Sequence, residues 1–220
     1  MKKYTQEEYD AIERDEYGVK RLPQGDYSQV VLDKDCHSVD AECEFDAWCK
    51  FGAGCKFGAG CKFEFGCKFG AECDFDDWCE FDAWCEFGAG CELGDECKFD
   101  FGCEFGDRCK IGDDCKLGRR CKFGESFVHG KNTSFEGGAV KNGTFVKIGR
   151  IGSEMRDAYF FIDENGKFFV RIGCCFSDMD SFIEHVHHVY KGAWYERQYL
   201  AACEYAKAVL PEMLEEVNNG

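Results

Sequence analysis

The chain has 220 residues, enough for one or two compact domains. Its formal net charge of −16 argues against a protein that coats nucleic acid directly, and 45% hydrophobic residues, with 22 phenylalanines, argue against global disorder. No apolar run reaches the roughly 18 residues that a transmembrane helix needs.

The N-terminal segment is predicted to form a helix and a cap. Its first ten residues, MKKYTQEEYD, have no apolar segment after the lysines, so no secretory signal is expected. Thr5 and Glu8 have the spacing of a capping box, which predicts a short helix over residues 5–16. Residues 27–42 are then expected to lead into the repeats, with Cys36 as a candidate start of the first coil.

Fourteen cysteines recur at strict intervals of six residues, from Cys43 to Cys121. An apolar residue follows each of them two positions later, Phe in eleven cases, and the residue between is nearly always charged. This in–out–in alternation predicts a short strand, and the next three residues, often Gly-Ala-Gly, supply a turn. Six residues are too few to reverse and pair as hairpins, so the chain is predicted to wind as a solenoid.

The unit Phe51-Gly52-Ala53-Gly54-Cys55-Lys56 resembles the hexapeptide repeat of left-handed parallel β-helices, with Phe as the large residue and Cys as the small one. The resemblance covers residues 43–126 closely and 127–144 loosely. It implies triangular coils of three hexapeptides each, so that residues eighteen positions apart stack. A larger repeat also relates residues 43–78 to residues 79–114.

The repeat cysteines allow two interpretations, a metal site or disulfide ladder on one side and simple packing on the other. Packing is favoured, because cysteine behaves as a small hydrophobe and the repeat has no C-x-x-C pair with a histidine partner. Cys174, Cys175 and Cys203 lie outside the repeat and are predicted to belong to the core of the C-terminal module.

Outward charges form two patterns. Along one predicted face, Glu44, Lys62 and Glu80 alternate in sign and continue to Lys98 and Lys116, which suggests ion-pair ladders. The second pattern runs along the axis: residues 72–107 carry thirteen acids and one base, whereas residues 108–150 carry ten bases and four acids. The dense acidic part serves either solubility alone or the binding of a basic partner.

Trp48, Trp78 and Trp84 fall at predicted turns, where each either packs on a neighbouring turn or anchors a partner. The candidate partner-binding residues are the acids and tryptophans of the acidic part and its continuation: Glu72, Asp74, Asp76, Asp77, Trp78, Glu80, Asp82, Trp84, Glu92, Asp95, Glu96, Asp100, Asp113 and Asp114.

The C-terminal residues change pattern. Ala158–Ile162 and Phe168–Ile172 are predicted to pair as a hairpin, because an Asn-Gly turn lies between them. Ser177 is predicted to cap a helix over residues 178–190. A second helix is predicted over residues 194–217, with Pro211 kinking or ending it.

The segments Gly149-Arg150-Ile151-Gly152-Ser153 and Gly173-Cys174-Cys175-Phe176, together with the hairpin, resemble a module of uncharacterised phage and prophage proteins from gut Firmicutes, which also carry C-x-F-G repeats. This resemblance implies a viral or prophage setting rather than an activity.

The predicted fold is therefore mainly β: a left-handed triangular parallel β-helix over residues 36–144, preceded by an N-terminal helix and cap over residues 1–35. A small C-terminal ββαα module over residues 145–220 is expected to close the rod and to offer a surface for homo-oligomerisation.

Catalytic and metal-binding motifs are weak. His185, His187 and His188 lie on a predicted helix with Glu184 as the one obvious further ligand, and a zinc site normally needs three or four protein ligands. Many left-handed β-helices are acyltransferases, but here His37 and His129 are the only histidines near the coils and no loop interrupts the hexapeptides. No enzyme activity, metal or cofactor is therefore predicted.

The function predicted is that of a non-enzymatic, phage-type inhibitor in the cytoplasm of a host cell. It would mimic the charge of duplex DNA and block a basic, nucleic-acid-binding defence protein of the CRISPR or restriction type, without binding nucleic acid or membrane itself. A structural or oligomerisation scaffold is the alternative, and an acyltransferase-like enzyme comes third.

Overall fold

The computed structural model describes residues 2–16, 19–27, 30 and 37–219, so Cys36 lies outside the described residues. The chain folds as two compact units. The solenoid unit comprises Met1–Gly130 and Glu136–Gly138, and the C-terminal unit comprises Lys131–Phe135 and Ala139–Gly220. None of the helices in the described part of the chain is long and apolar enough to cross a membrane.

The solenoid unit contains one α-helix, α1 (Gln6–Asp10), one 3-10 turn over Glu136–Gly138, and seventeen short strands among its described residues. The strands are β1 (Lys20–Leu22), β2 (His37–Val39), β3 (Glu44–Phe45), β4 (Lys50–Phe51), β5 (Lys56–Phe57), β6 (Lys62–Phe63), β7 (Lys68–Phe69), β8 (Asp74–Phe75), β9 (Glu80–Phe81), β10 (Glu86–Phe87), β11 (Glu92–Leu93), β12 (Lys98–Phe99), β13 (Glu104–Phe105), β14 (Lys110–Ile111), β15 (Lys116–Leu117), β16 (Lys122–Phe123) and β17 (Val128–His129).

These strands form a parallel β-solenoid, which confirms the solenoid predicted from the six-residue repeat. Every third repeat strand joins the same sheet, giving sheets of seven strands (β1-β2-β5-β8-β11-β14-β17), five strands (β16-β13-β10-β7-β4) and five strands (β15-β12-β9-β6-β3). The register pairs residues eighteen positions apart, as in Phe63 opposite Phe81. Each coil of three strands therefore stacks on an equivalent coil.

The interior is built from the phenylalanines predicted to point inward. Phe81 is only 2% exposed, and its ring stacks 5.0 Å from Phe63 and 5.0 Å from Phe99 in the coils on either side. Rings within one coil instead meet edge to face, as Phe81 does with Phe87 at 4.9 Å and 78°. Both arrangements are favourable for aromatic pairs. The same core therefore contains stacked rings along the solenoid axis and edge-to-face contacts within each coil.

The N-terminal segment covers one edge of the first full coil, as a solenoid end requires. Tyr27 donates its backbone N–H to Glu44 O at 2.8 Å, and its ring stacks 5.6 Å from Phe45. The capping box of Thr5 and Glu8 is confirmed. The helix that it begins ends at Asp10, earlier than predicted, and Arg14 then pairs with Lys20 in an antiparallel bridge that requires extended backbone.

The C-terminal unit contains more strands than the two predicted. Its antiparallel sheet has the order β18 (Thr144–Ile151), β19 (Arg156–Ile162), β20 (Phe168–Ile172) and β21 (Cys175–Asp178). The Asn-Gly hairpin between β19 and β20 is confirmed. Strand β21 was missed because its four residues carry only weak alternation, and it pairs with β20 through a tight turn at Gly173.

Helices α2 (Met179–Val189) and α3 (Trp194–Asn219) follow the sheet. The predicted cap Ser177 was wrong by one residue: Asp178 is the N-cap and accepts from Ser181 N at 2.9 Å, whereas Ser177 belongs to β21. Pro211 lies inside α3, so the alternative that it ends the helix was also wrong. Leu210 beside it is fully buried, and this tertiary packing holds the helix through the proline.

The prediction that all three C-terminal cysteines are core residues was correct for one of them. Cys203 is 1% exposed, whereas Cys174 and Cys175 are exposed. Their position explains the difference, because Cys174 occupies the turn after β20 and Cys175 begins β21, the edge strand of the sheet.

Stability should depend on the inward column far more than on the outward charges. Phe81→Ala should lower the free energy of unfolding by about 3–5 kcal/mol through loss of buried area and creation of a cavity. Lys62→Ala removes only an exposed partner of Glu44, 3.9 Å away, and should cost less than about 1 kcal/mol. Urea unfolding of both variants measures the difference, and equal losses would contradict the inward assignment of the phenylalanines.

Candidate functional site

Each hexapeptide ends in a three-residue turn whose third residue has left-handed backbone. Gly54, Gly60 and Gly90 fill this position with φ near +70°, as glycine does at little cost. Trp48 (φ 65°), Trp78 (φ 59°) and Trp84 (φ 63°) occupy the same conformation in other turns. Non-glycine residues there carry a strain of about 1–3 kcal/mol, so contacts elsewhere must favour these side chains.

The structure distributes the fourteen candidate partner-binding residues over three stacks of turns and two sheet faces. Seven lie in the stack formed by residues 76–78, 94–96 and 112–114, here named the acidic turn stack: Asp76, Asp77, Trp78, Asp95, Glu96, Asp113 and Asp114. Three lie in the stack formed by residues 46–48, 64–66, 82–84 and 100–102, here named the tryptophan turn stack: Asp82, Trp84 and Asp100. Glu72 belongs to the remaining turns, and Asp74, Glu80 and Glu92 lie on strands.

The three strand acids are ion-paired across neighbouring coils. Asp74 lies 3.7 Å from Lys56 Nζ, Glu80 lies 2.7 Å from Lys98 Nζ, and Glu92 lies 2.8 Å from Lys110 Nζ. The hydrogen bond from Lys98 lowers the pKa of Glu80. The Glu80–Lys98 pair, like the Glu44–Lys62 pair, lies on the face for which ion pairs were predicted, whereas the pairs of Asp74 and Glu92 lie on a second sheet face. Each lysine offsets part of the field that its carboxylate would present to a partner.

Two carboxylates of the acidic turn stack, those of Asp77 and Asp95, are held by hydrogen bonds to the backbone. Asp77 Oδ1 accepts from Asp95 N at 2.8 Å, and Asp95 Oδ1 accepts from Asp113 N at 2.8 Å, one coil further along. Gly94 makes this possible, because a Cβ at that position would overlap the Asp77 carboxylate. The sequence does not reveal this role, since an acid in a turn is normally assigned to solvent.

The acidic turn stack therefore presents a regular set of negative charges. Its nine residues contain six acids and no lysine or arginine, two acids in each of three coils. With coils stacked at the usual strand spacing of about 4.8 Å, this is one charge per roughly 2.4 Å along the stack, against about 1.7 Å along duplex DNA. The stack covers about 14 Å, or the length of roughly four base pairs.

The tryptophan turn stack is acidic as well, but less dense. Asp46, Glu64, Asp82 and Asp100 occupy its first position in successive coils. A side-chain hydrogen bond with Asp46, together with repulsion from its neighbours, raises the pKa of Glu64. The close approach of these like charges costs energy, and Asp46 and Asp82 recover some of it by accepting from the next backbone N–H at 2.8 and 2.6 Å.

Two of the three tryptophans pack on the next coil, which is the first of the two predicted alternatives, packing on a neighbouring turn. The ring of Trp48 lies 4.9 Å from Phe65 and covers Gly66, where a Cβ would approach Trp48 Cε3 to 2.6 Å. Trp84 repeats the arrangement 36 residues later, 5.2 Å from Phe101. The larger repeat thus has a physical cause in this stack: Trp48 and Trp84 each cover a glycine of the next coil, Gly66 and Gly102, so tryptophan and glycine alternate from coil to coil.

Trp78 differs, because the residue that follows it in its stack is Glu96 rather than glycine. Its side chain remains 56% exposed and borders a groove of about 370 Å³ with Lys62 and Glu80. The acidic turn stack therefore combines six carboxylates with an exposed aromatic ring.

The repeat cysteines form a hydrogen-bonded column rather than merely filling space. Thirteen of the fourteen are buried, and Cys49 is partly exposed. Eleven thiols, from Cys61 to Cys121, contact the carbonyl oxygen of the residue 21 positions earlier, for example Cys109 Sγ to Gly88 O at 3.1 Å. Each thiol can thus donate to a carbonyl of the turn, a contact that alanine could not make.

The pKa shifts of the repeat thiols differ in direction along the column: a hydrogen bond with Cys103 lowers the pKa of Cys85, whereas the pKa of Cys97 is raised. The hydrogen-bonded neighbour Cys115 and the loss of hydration on burial raise the pKa of Cys97 to about 12. The thiolate is the nucleophile and the metal ligand, and at neutral pH this thiol stays protonated.

The histidines of the C-terminal unit do not converge. His187 Nδ1 lies 3.0 Å from Glu196 Oε1, an acid that the sequence did not suggest as its partner. Within residues 2–16, 19–27, 30 and 37–219, no group of three or more His, Cys, Asp or Glu side chains is placed to hold a metal ion. No known protein family, curated protein or solved structure matches the chain.

Thiol accessibility should separate the two groups of cysteines. In the native protein, Ellman's reagent should react rapidly with Cys174 and Cys175, while the thirteen buried repeat thiols react only after unfolding in guanidinium. Peptide mass spectrometry after brief alkylation identifies the labelled positions. Rapid labelling of most repeat cysteines in the folded protein would show that the columns are open to solvent.

Loss of the hydrogen bond from Asp95 N to the Asp77 carboxylate should lower the free energy of unfolding. Asp77→Ala removes the acceptor of Asp95 N and should cost about 1–2 kcal/mol, whereas Asp77→Asn keeps an acceptor oxygen and should cost less. Asp76→Ala, at the preceding exposed position, should stay within about 0.5 kcal/mol of the parent. Urea unfolding compares the three, and similar losses for Asp76→Ala and Asp77→Ala would contradict the structural role of Asp77.

Proposed function

We propose that this chain is a non-enzymatic inhibitor that binds the basic groove of a bacterial nucleic-acid-binding defence protein, of the CRISPR or restriction type. The acidic turn stack would take the place of a short stretch of duplex DNA. Trp78, which belongs to the same stack, would add an apolar anchor.

The observation that carries this proposal is the ordered spacing of the carboxylates in the acidic turn stack. The Asp77 and Asp95 carboxylates are hydrogen-bonded to the next coil, so they are already positioned before a partner arrives. Fixed acceptors lose little conformational entropy on binding, which favours affinity. Their linear charge density also approaches that of duplex DNA.

The distribution of charge in the repeats supports the same proposal. The outward strand positions of the fourteen hexapeptides hold eight lysines and six acids, so the sheet faces are nearly neutral. The excess of acids lies in the turns instead. Solubility alone does not require this segregation, because mixed charges on every surface serve it equally well.

The finer assignment of the fold is part of the proposal. The resemblance of the hexapeptides to those of left-handed β-helices supports a left-handed, triangular winding for the solenoid. The resemblance of the C-terminal segments to phage and prophage proteins supports the viral setting in which such an inhibitor would act.

Charge reversal in the acidic turn stack should abolish partner binding. The variant combines Asp76→Lys, Glu96→Lys and Asp114→Lys, and it leaves Asp77 and Asp95 in place because their carboxylates support the fold. The tagged parent chain is used to capture proteins from a bacterial lysate. Captured nucleic-acid-binding proteins should be released by a 20-bp DNA duplex and by added salt, and the triple variant should not capture them.

The matched control reverses three exposed acids of α3 by Glu212→Lys, Glu215→Lys and Glu216→Lys, which changes net charge by the same amount. This control should capture the same proteins as the parent. Capture that survives the triple reversal in the turns, or that duplex DNA does not displace, would overturn DNA mimicry and leave the scaffold alternative ahead.

A further inference from the structure

The C-terminal unit contains a pocket of about 370 Å³ that the proposed function does not use. Its volume falls within the range of small-molecule sites and is too small for a folded partner. Residues from β18, β19, β20, β21, α2 and α3 line it, so it lies within a single compact unit.

The floor of the pocket is apolar and aromatic. Ile151 and Ile172 contribute from the sheet, and Phe182, Tyr190 and Tyr199 contribute from the helical side. The ring of Tyr199 meets Phe182 at 5.6 Å and 89°, and it meets Tyr190 at 5.4 Å and 39°. These rings pack against the core of the unit, which fixes their positions.

The rim of the pocket is polar, and its fixed cation is Arg156. The guanidinium forms an ion pair with Glu154, which also lines the pocket, and both side chains are more than half exposed. An exposed pair of this kind is weak. A ligand carboxylate or sulfonate held inside the pocket could therefore replace Glu154, because the guanidinium offers two parallel N–H groups to such an anion.

We propose that this pocket binds a small organic anion with a planar aromatic body. The body lies against Phe182, Tyr190 and Tyr199, and the carboxylate or sulfonate pairs with Arg156 at the rim. Ser153 and Ser177 border the same rim and supply further hydroxyl donors. The site is separate from the acidic turn stack in both its residues and the charge that it selects.

Two fluorescent probes of nearly equal shape test the proposal on the full chain. 8-Anilinonaphthalene-1-sulfonate carries an anionic group, and N-phenyl-1-naphthylamine lacks it. Both should bind with saturable, one-to-one fluorescence changes. Arg156→Gln should weaken the sulfonate probe about tenfold and leave the neutral probe within about twofold, since a charge-assisted hydrogen bond is lost for one probe alone.

Two further variants sharpen the test. Glu154→Gln removes the competing carboxylate and should strengthen the sulfonate probe, whereas Arg150→Gln, an arginine of β18 that does not line the pocket, should change neither probe. Because the sulfonate probe also binds partly unfolded proteins, each variant must unfold cooperatively in urea.

A measurement on the unaltered chain locates the probe. Cys175 lines the pocket and Cys174 does not, so saturating sulfonate probe should slow alkylation of Cys175 more than that of Cys174. Absence of saturable binding would overturn the pocket as a ligand site. Equal weakening of both probes by Arg156→Gln, or unchanged alkylation of Cys175, would overturn the assigned pose and ligand class.

Discussion

Hydrogen bonding between backbone groups about eighteen positions apart is the constraint on which the solenoid depends. Each repeat strand in the coils has only two residues, so a single strand adds little to the stability of the fold. Stability comes from the repetition of the same backbone hydrogen bonds in every coil. One of them runs from Lys98 N to Cys79 O at 2.9 Å. Equivalent residues must then lie directly above one another. Phenylalanine and cysteine suit the inward positions, because the stacked rings attract one another and the thiols contact carbonyl oxygens. At the outward positions opposite charges can pair between coils, as Lys98 and Glu80 do, although like charges such as Lys98 and Lys116 also lie side by side.

The turns obey a second constraint, because their third residue must adopt left-handed backbone. Glycine meets it without strain, yet Trp48 and Trp84 occupy it where each covers a glycine of the next coil. The aromatic contact with Phe65 or Phe101 offsets the strain, and it cannot recur in the very next coil, because the covered position must lack a side chain. Trp78 meets the same backbone cost without a glycine above it. Among these three tryptophans, Trp78 is therefore the one whose backbone strain is least offset by contacts within the fold. Contact with a partner would account for tryptophan at this position.

The six-residue spacing was sufficient to predict the solenoid, the inward phenylalanines and the buried repeat cysteines, because each depends on periodicity alone. The roles of Asp77 and Asp95 were not predictable, since an acid in a turn has the same local sequence whether it faces water or the backbone N–H of another coil. The hydrogen bonds of the thiols were missed for the same reason. In the C-terminal unit, Cys174 and Cys175 were predicted to be core residues because cysteine is usually buried. Their place in a hairpin at the edge of the sheet exposes them.

The acidic turn stack has to serve the fold and, in the proposed function, the partner as well. Six carboxylates over three coils would replace only a few base pairs of duplex, and a short stack lacks the condensed counterions that DNA releases on binding. Electrostatic attraction of this size favours rapid encounter more than tight binding. Affinity must then come from carboxylates that are ordered in advance, as Asp77 and Asp95 are, and from desolvation of Trp78 against the partner. On this argument the hydrogen bonds that hold the turn stack together are also what would make it an effective substitute for phosphate.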